Sequence, residues 1–110
     1  MKDLIEKIKK FRDERDWKQF HDIKDLLLGL NIEVAELQEL FLWKDENKDK
    51  DNLEDVKGEV SDIFIFLIFI CEKLEINLEK AVKEKLEIHK KHYPKNLTKG
   101  KTTKYTDLNK

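Results

Sequence analysis

The stretch Glu59-Val60-Ser61-Asp62-Ile63-Phe64-Ile65-Phe66-Leu67-Ile68-Phe69-Ile70-Cys71 decides the fold. Its β-branched and aromatic residues would suit a buried strand. The spacing favours a helix instead, because Val56, Val60, Ile63, Leu67, Ile70 and Leu74 recur at intervals of three and four through the run and on both sides of it. The uncharged part, Ile63 to Cys71, covers nine residues, well short of the roughly 18 expected of a membrane span. A helix that is apolar all round must be covered on more than one face. In a chain of 110 residues, with room for one core, that requirement points to an oligomer.

Outward from this segment the same spacing predicts three more helices. The first, over about 3–15, carries Leu4, Ile8 and Phe11 on one stripe and runs into the turn Asp16-Trp17-Lys18-Gln19-Phe20-His21. The second, over about 23–43, has Ile23, Leu27, Leu30, Val34, Leu37 and Phe41 in register and is followed by a charged loop, Lys44 to Asn52. The last follows a cap-like Asn77, runs through Leu78, Val82 and Leu86, and stops before Pro94. Residues 1–94 are therefore read as one helical domain and 95–110 as a basic tail. That tail holds five Lys and three large apolar side chains, too little to fold alone, with Tyr105 and Leu108 as the groups that would pack it onto the bundle. The fold class is all-α, a four-helix bundle.

Composition narrows the function. Lys and Arg number 23 against 24 Asp and Glu, a formal net charge of -1. No global field gathers a polyanion, which argues against nucleic acid as a partner. The lone Cys71 excludes a disulfide framework or cysteine zinc site within one chain and fits a reducing, cytoplasmic location. The charged N-terminus lacks the apolar core of a secretory signal.

The direction of four acids is the informative signal. At about 100° per residue with Leu37 as origin, Glu33 falls at about -40°, inside the apolar arc, and Glu36 at about -100°, on its edge. With Ile63 as origin, Glu59 and Asp62 fall at the same two angles, about -40° and about -100°. An ionised carboxylate on an apolar face is costly unless paired or bound to a cation. Facing helices would bring Glu33, Glu36, Glu59 and Asp62 together, and an all-oxygen donor set suits Mg²⁺ or Mn²⁺ rather than zinc. The alternative is neutralisation by a base such as Arg12, Arg15 or Lys85. The Glu-x-x-His pairs of di-iron bundles are absent, as is a phosphate-binding Gly-rich loop. Carboxylate-bound Mg²⁺ leaves positions for water and phosphate, which points to phosphoryl chemistry. Trp17, Phe20 and Trp43 offer flat surfaces near the ends of the acid-bearing helices, and Trp43 falls near the Glu36 side of its wheel. Each suits stacking on a base or end-of-core packing equally. Among the histidines, His21 is the functional candidate, while His89 and His92 belong to a Lys-rich last turn.

These residues resemble the MazG-like all-α nucleoside triphosphate pyrophosphohydrolases, and within them the dCTP pyrophosphatase group. The resemblance rests on Glu33-Val34-Ala35-Glu36 and Glu59-Val60-Ser61-Asp62, on Arg15-Asp16-Trp17-Lys18-Gln19-Phe20-His21, on Leu26-Leu27-Leu28, and on Leu40-Phe41-Leu42-Trp43-Lys44. Tyr93-Pro94 and Lys104-Tyr105-Thr106-Asp107-Leu108 extend it to most of the chain. It implies Mg²⁺-dependent hydrolysis of a nucleoside triphosphate, dCTP or a modified dCTP, to the monophosphate and pyrophosphate, by an assembly of two or four subunits. Glu33, Glu36, Glu59 and Asp62 would be metal ligands, with Glu33 and Glu36 the catalytic candidates. Trp17, Lys18, Gln19, Phe20, His21, Asp25, Trp43, Phe66 and Lys85 would form the substrate-binding set. The chain departs from the group where Ile23-Lys24-Asp25 replaces Pro-Arg-Asn, Phe66 replaces a tyrosine and Ile8 replaces a histidine. These departures bear on base preference, so dUTP or another nucleotide is the alternative substrate. A non-catalytic helical interaction module is the alternative class.

Overall fold

The computed structural model describes residues 1–43, 52–102 and 106. Every regular element among them is helical: α1 (Lys2–Glu14), a 3₁₀ turn (Trp17–Phe20), α2 (Ile23–Glu39), α3 (Leu53–Lys73), α4 (Leu78–His92) and a single turn, α5 (Lys95–Thr98). The Phe-rich run is thus helical, as its spacing requires. Among the described residues no helix is long and apolar enough to cross a membrane.

The chain divides into two compact units, 1–76 and 77–110. In the first, α2 and α3 pack along one another, α1 lies against α3, and the 3₁₀ turn lies against α1. Ile8, Leu26, Ile68, Phe69 and Cys71 form the buried apolar core. Ile68 is 1% exposed, and burying such a side chain is worth about 1.5–3 kcal/mol. Arg12, a charged residue, is buried as well. Close approach of α2 and α3 depends on Gly29, where an added Cβ would meet the Phe66 ring.

Caps explain where these helices begin and end. Asp22 Oδ1 accepts from Lys24 N at 2.8 Å to start α2, an arrangement typically worth about 1 kcal/mol. The end of α2 departs from the predicted boundary near Trp43. After Glu39 the backbone shifts to tighter bonds, Phe41 N to Gln38 O at 3.1 Å and Leu42 N to Glu39 O at 3.2 Å, and Trp43 turns left-handed at φ 62°. Angles read from an α-helical wheel therefore do not apply to Trp43, whose residue is 94% exposed. Asn52 Nδ2 donates to Leu40 O at 3.1 Å, joining the end of α2 to the start of α3. At the other end of α3, Ile76 N donates to Cys71 O at 2.8 Å and Glu75 adopts φ 56°, a left-handed helix stop.

The second unit is built on α4, which starts at Asn77 as expected, with Oδ1 accepting from Lys80 N at 3.1 Å. Lys83–Glu79 at 3.2 Å and Lys90–Glu87 at 3.0 Å decorate its surface, and pairs of this kind contribute little. Thr98 Oγ1 donates to Pro94 O at 2.8 Å, tying α5 to the chain turn behind it. The packing expected of Tyr105 and Leu108, and the loop residues 44–51, lie outside the described residues.

Candidate metal and nucleotide site

Residues one helical turn apart share a face, so α2 presents Glu33 and α3 presents Glu59 and Asp62 across the same interface. One carboxylate oxygen from each lies within 4.8 Å of those from the other two. Glu33 and Glu59 are half-buried and Asp62 is exposed, the order that the wheel angles anticipate. Glu36 is exposed and stands outside this closest group, although its charge still acts on Glu33.

The electrostatics follow from crowding. A hydrogen bond shared with Glu59, burial, and the charges of Glu36, Glu59 and Asp62 push the Glu33 carboxyl up to about 7. Glu59 Oε2 is buried with no ordinary hydrogen-bond donor. A raised Glu33 carboxyl is the response of like charges that cannot all ionise together. A divalent cation would relieve the same conflict by a different route, and oxygen donors without His or Cys fit Mg²⁺ or Mn²⁺.

Neutralisation by protein cations does not take the form that sequence allows. Arg12 pairs with Asp13, its Nη2 2.8 Å from Oδ1. Arg15 donates to Phe11 O at 3.0 Å and places its guanidinium carbon 3.8 Å from the Phe11 ring centre. Lys85 is exposed on α4. Among the described residues no Lys or Arg forms an ion pair with Glu33, Glu36, Glu59 or Asp62.

A line of rings continues from the acids along α3. Phe66 packs on Gly29 and meets Phe69 edge-on, centroids 6.4 Å apart. The His21 ring lies 4.5 Å from Phe69. From Asp62 to Phe66 is about 6 Å of helix and to Phe69 about 10 Å, at 1.5 Å per residue. His21 is half-buried, and burial followed by the charges of Arg12 and Lys73 holds it below the usual histidine range. Trp17 packs edge-on against Phe11 at 5.4 Å. Phe20, Lys18 and Asp25 are exposed, and Gln19 Nε2 donates to Asp16 Oδ2 at 2.9 Å. Sequence reasoning missed Phe69, the ring that joins His21 to Phe66, and Gly29, for which a glycine inside a helix was the available signal.

Comparison with known proteins shows what the chain is similar to. Residues 28–108 match the MazG-like family. The dCTP pyrophosphatase 1 of Mus musculus is 38% identical over 89% of this chain and 61% of its own length. That of Homo sapiens is 36% identical over the same shares, 89% and 61%. The chain therefore spans 61% of the length of these curated relatives. A crystal structure of a pyrophosphatase from Archaeoglobus fulgidus superposes with a TM-score of 0.74 at 38% identity, covering 86% of this chain and 92% of that one.

Proposed function

We propose, from the premise that this chain belongs to the MazG-like family, that it is a nucleotide pyrophosphohydrolase, cleaving a nucleoside triphosphate to the monophosphate and pyrophosphate. The observation that carries the reading is the meeting of Glu33, Glu59 and Asp62 oxygens within 4.8 Å, with no basic partner among the described residues. Similarity to dCTP pyrophosphatase 1 and to an archaeal pyrophosphatase supports the reaction class and makes dCTP or a modified dCTP the first substrate to test.

In this reading Glu33, Glu36, Glu59 and Asp62 hold the metal, Mg²⁺ or Mn²⁺. When bound, the ion neutralises phosphate charge and polarises the scissile group. Glu33 and Glu36, the first pushed up by the crowding of the site and the second outside its closest group, are the carboxylates assigned to orient the water that attacks the α-phosphorus. Trp17, Lys18, Gln19, Phe20, His21, Asp25, Trp43 and Phe66 bind the rest of the nucleotide. The protein acts in the cytoplasm in nucleotide-pool housecleaning, as a four-helix bundle assembled into a dimer or tetramer. Exposed Leu28, Ile32, Val34, Leu53 and Val60 on α2 and α3 support the assembly, since large apolar patches mark interaction surfaces.

The test is a panel of triphosphates with Mg²⁺ and product analysis. Release of pyrophosphate from dCTP is expected; hydrolysis of dUTP in preference shifts the substrate, and stepwise loss of phosphate overturns the reaction. No hydrolysis of any nucleotide leaves the chain an interaction module.

A further inference from the structure

Leu40 meets Asn52, Glu33 meets Glu59 and Asp62, and Gly29 meets Phe66, so residue numbers rise along α3 as they fall along α2 and the two helices are antiparallel. In such a pair, equal wheel angles turn to the same side of the two-helix layer. The acids occupy negative angles on both wheels, about -40° and about -100°, and the positive angles of both helices therefore share the opposite side. There the apolar residues repeat every seven. Leu27 and Val34 on α2, with Leu53, Val60 and Leu67 on α3, fall at about 40° to 80° and are between 37% and 56% exposed. Leu30 and Leu37, with Val56, Ile63 and Ile70, fall between about -20° and about 20° and are half-buried. This is a heptad pattern on each helix, with the d row between the helices and the a row uncovered.

We propose that this uncovered row is the seam on which a second copy of the chain docks, α2 and α3 of one copy lying on α2 and α3 of the other. The proposal names the face used by the assembly put forward above, and it leaves the acids on the far side of the layer. Charge selects the occupant first. From about 0° to about 100° neither helix carries a charged residue, in a chain that is 43% charged, so the strip offers nothing to a nucleic acid or to a charged peptide. Repeat selects it second. A heptad row is filled by helices with the same spacing, and the chain's own α2 and α3 carry that spacing at matching angles. Symmetry selects it third, because like rows on two antiparallel helices make a face that complements itself under a twofold rotation and closes at two copies. The rim is polar, as interfaces require: Asn31 and Lys57 stand at about 120°, and Lys57 pairs with Glu54 at 3.2 Å. Leu28, also exposed, lies at about 180° and outside the seam.

Sedimentation of the full chain, without metal or nucleotide, tests this. Wild type is expected as a dimer, or a multiple of it, at micromolar concentration. Val60→Glu adds a charge at a position already 50% exposed in one copy, so circular dichroism should show the helices retained. The dissociation constant of the dimer should nevertheless rise at least about 100-fold, since the twofold places two unpaired charges in the interface. If Val60→Glu does not fold, Leu27→Glu makes the same test from α2. Leu28→Glu, on another side of α2, should leave at least the dimer. A monomeric wild type, the outcome if residues 77–110 or a different protein cover the row, overturns the proposal. So does wild-type association in a folded Val60→Glu or Leu27→Glu protein, or equal dissociation by Leu28→Glu. Turnover separates this from the enzymatic reading: a monomer that releases pyrophosphate overturns the seam alone, and a dimer that hydrolyses no nucleotide overturns the enzyme alone.

Discussion

The ring of Phe66 fills the space that a side chain at Gly29 would need, since a Cβ there would come within 2.6 Å of Phe66 Cζ. Helix propensity alone favours Gly29→Ala by about 1 kcal/mol. Overpacking a close helix contact typically costs about 1–3 kcal/mol. The variant should therefore be destabilised in urea titrations, and Phe66→Leu should recover part of the loss by vacating the ring's volume. A Gly29→Ala protein more stable than wild type would show that α2 and α3 can separate freely.

The raised Glu33 carboxyl makes stability depend on pH in a direction opposite to that of an ion-paired acid. Its folded value, about 7, lies above the ordinary 4.5, so between these values the folded chain binds more proton than the unfolded one. The contribution is present in full below about 4.5 and lost as pH rises through about 7. Metal-free protein should lose stability from pH 5 to 8, and Glu33→Gln should flatten that slope. A wild-type slope that the substitution leaves untouched would assign the pH dependence to other groups.

Metal should reverse the sign of the problem. Mg²⁺ or Mn²⁺ at about 100 times its Kd adds about 2.7 kcal/mol to the stability of the state that binds it, seen as a rise in Tm. Asp62→Asn and Glu36→Gln should keep the fold, lose this response and lose more activity than the about 10–100-fold typical of outer-shell changes. Full activity in either variant would remove that residue from the metal set.

Trp43 presents its side chain to solvent from a left-handed turn. If it stacks on the base, Trp43→Ala should weaken nucleotide binding by about 1–3 kcal/mol, with dCTP, dUTP and dATP affected alike. His21→Ala should instead alter preference among them. Identical kcat/KM values for wild type and Trp43→Ala on all three would place the base elsewhere.

The helices and the inward acids were legible because both are matters of angle, and a 3.6-residue period converts order along the chain into angle directly. Glu36 and Asp62 share the same edge angle, yet Asp62 joins the closest group and Glu36 does not, a difference that no wheel of a single helix contains. The end of α2 was not legible. Phe41, Leu42 and Trp43 continue the apolar pattern, while the backbone has already changed to bonds between residues three apart. Arg12 was hidden for a related reason: charge at the end of a short helix reads as surface, and only the meeting of α1 with α3 reveals that the guanidinium is inside. Gly29 and Phe66 belong to different helices, and no periodicity within either one pairs them.

The bond from Asn52 Nδ2 to Leu40 O sets the neck of the α2–α3 connection independently of residues 44–51. Because the neck is held by its own donor and acceptor, the distance between the helix ends, and with it the register of Glu33 against Glu59 and Asp62, need not be dictated by the length of what lies between.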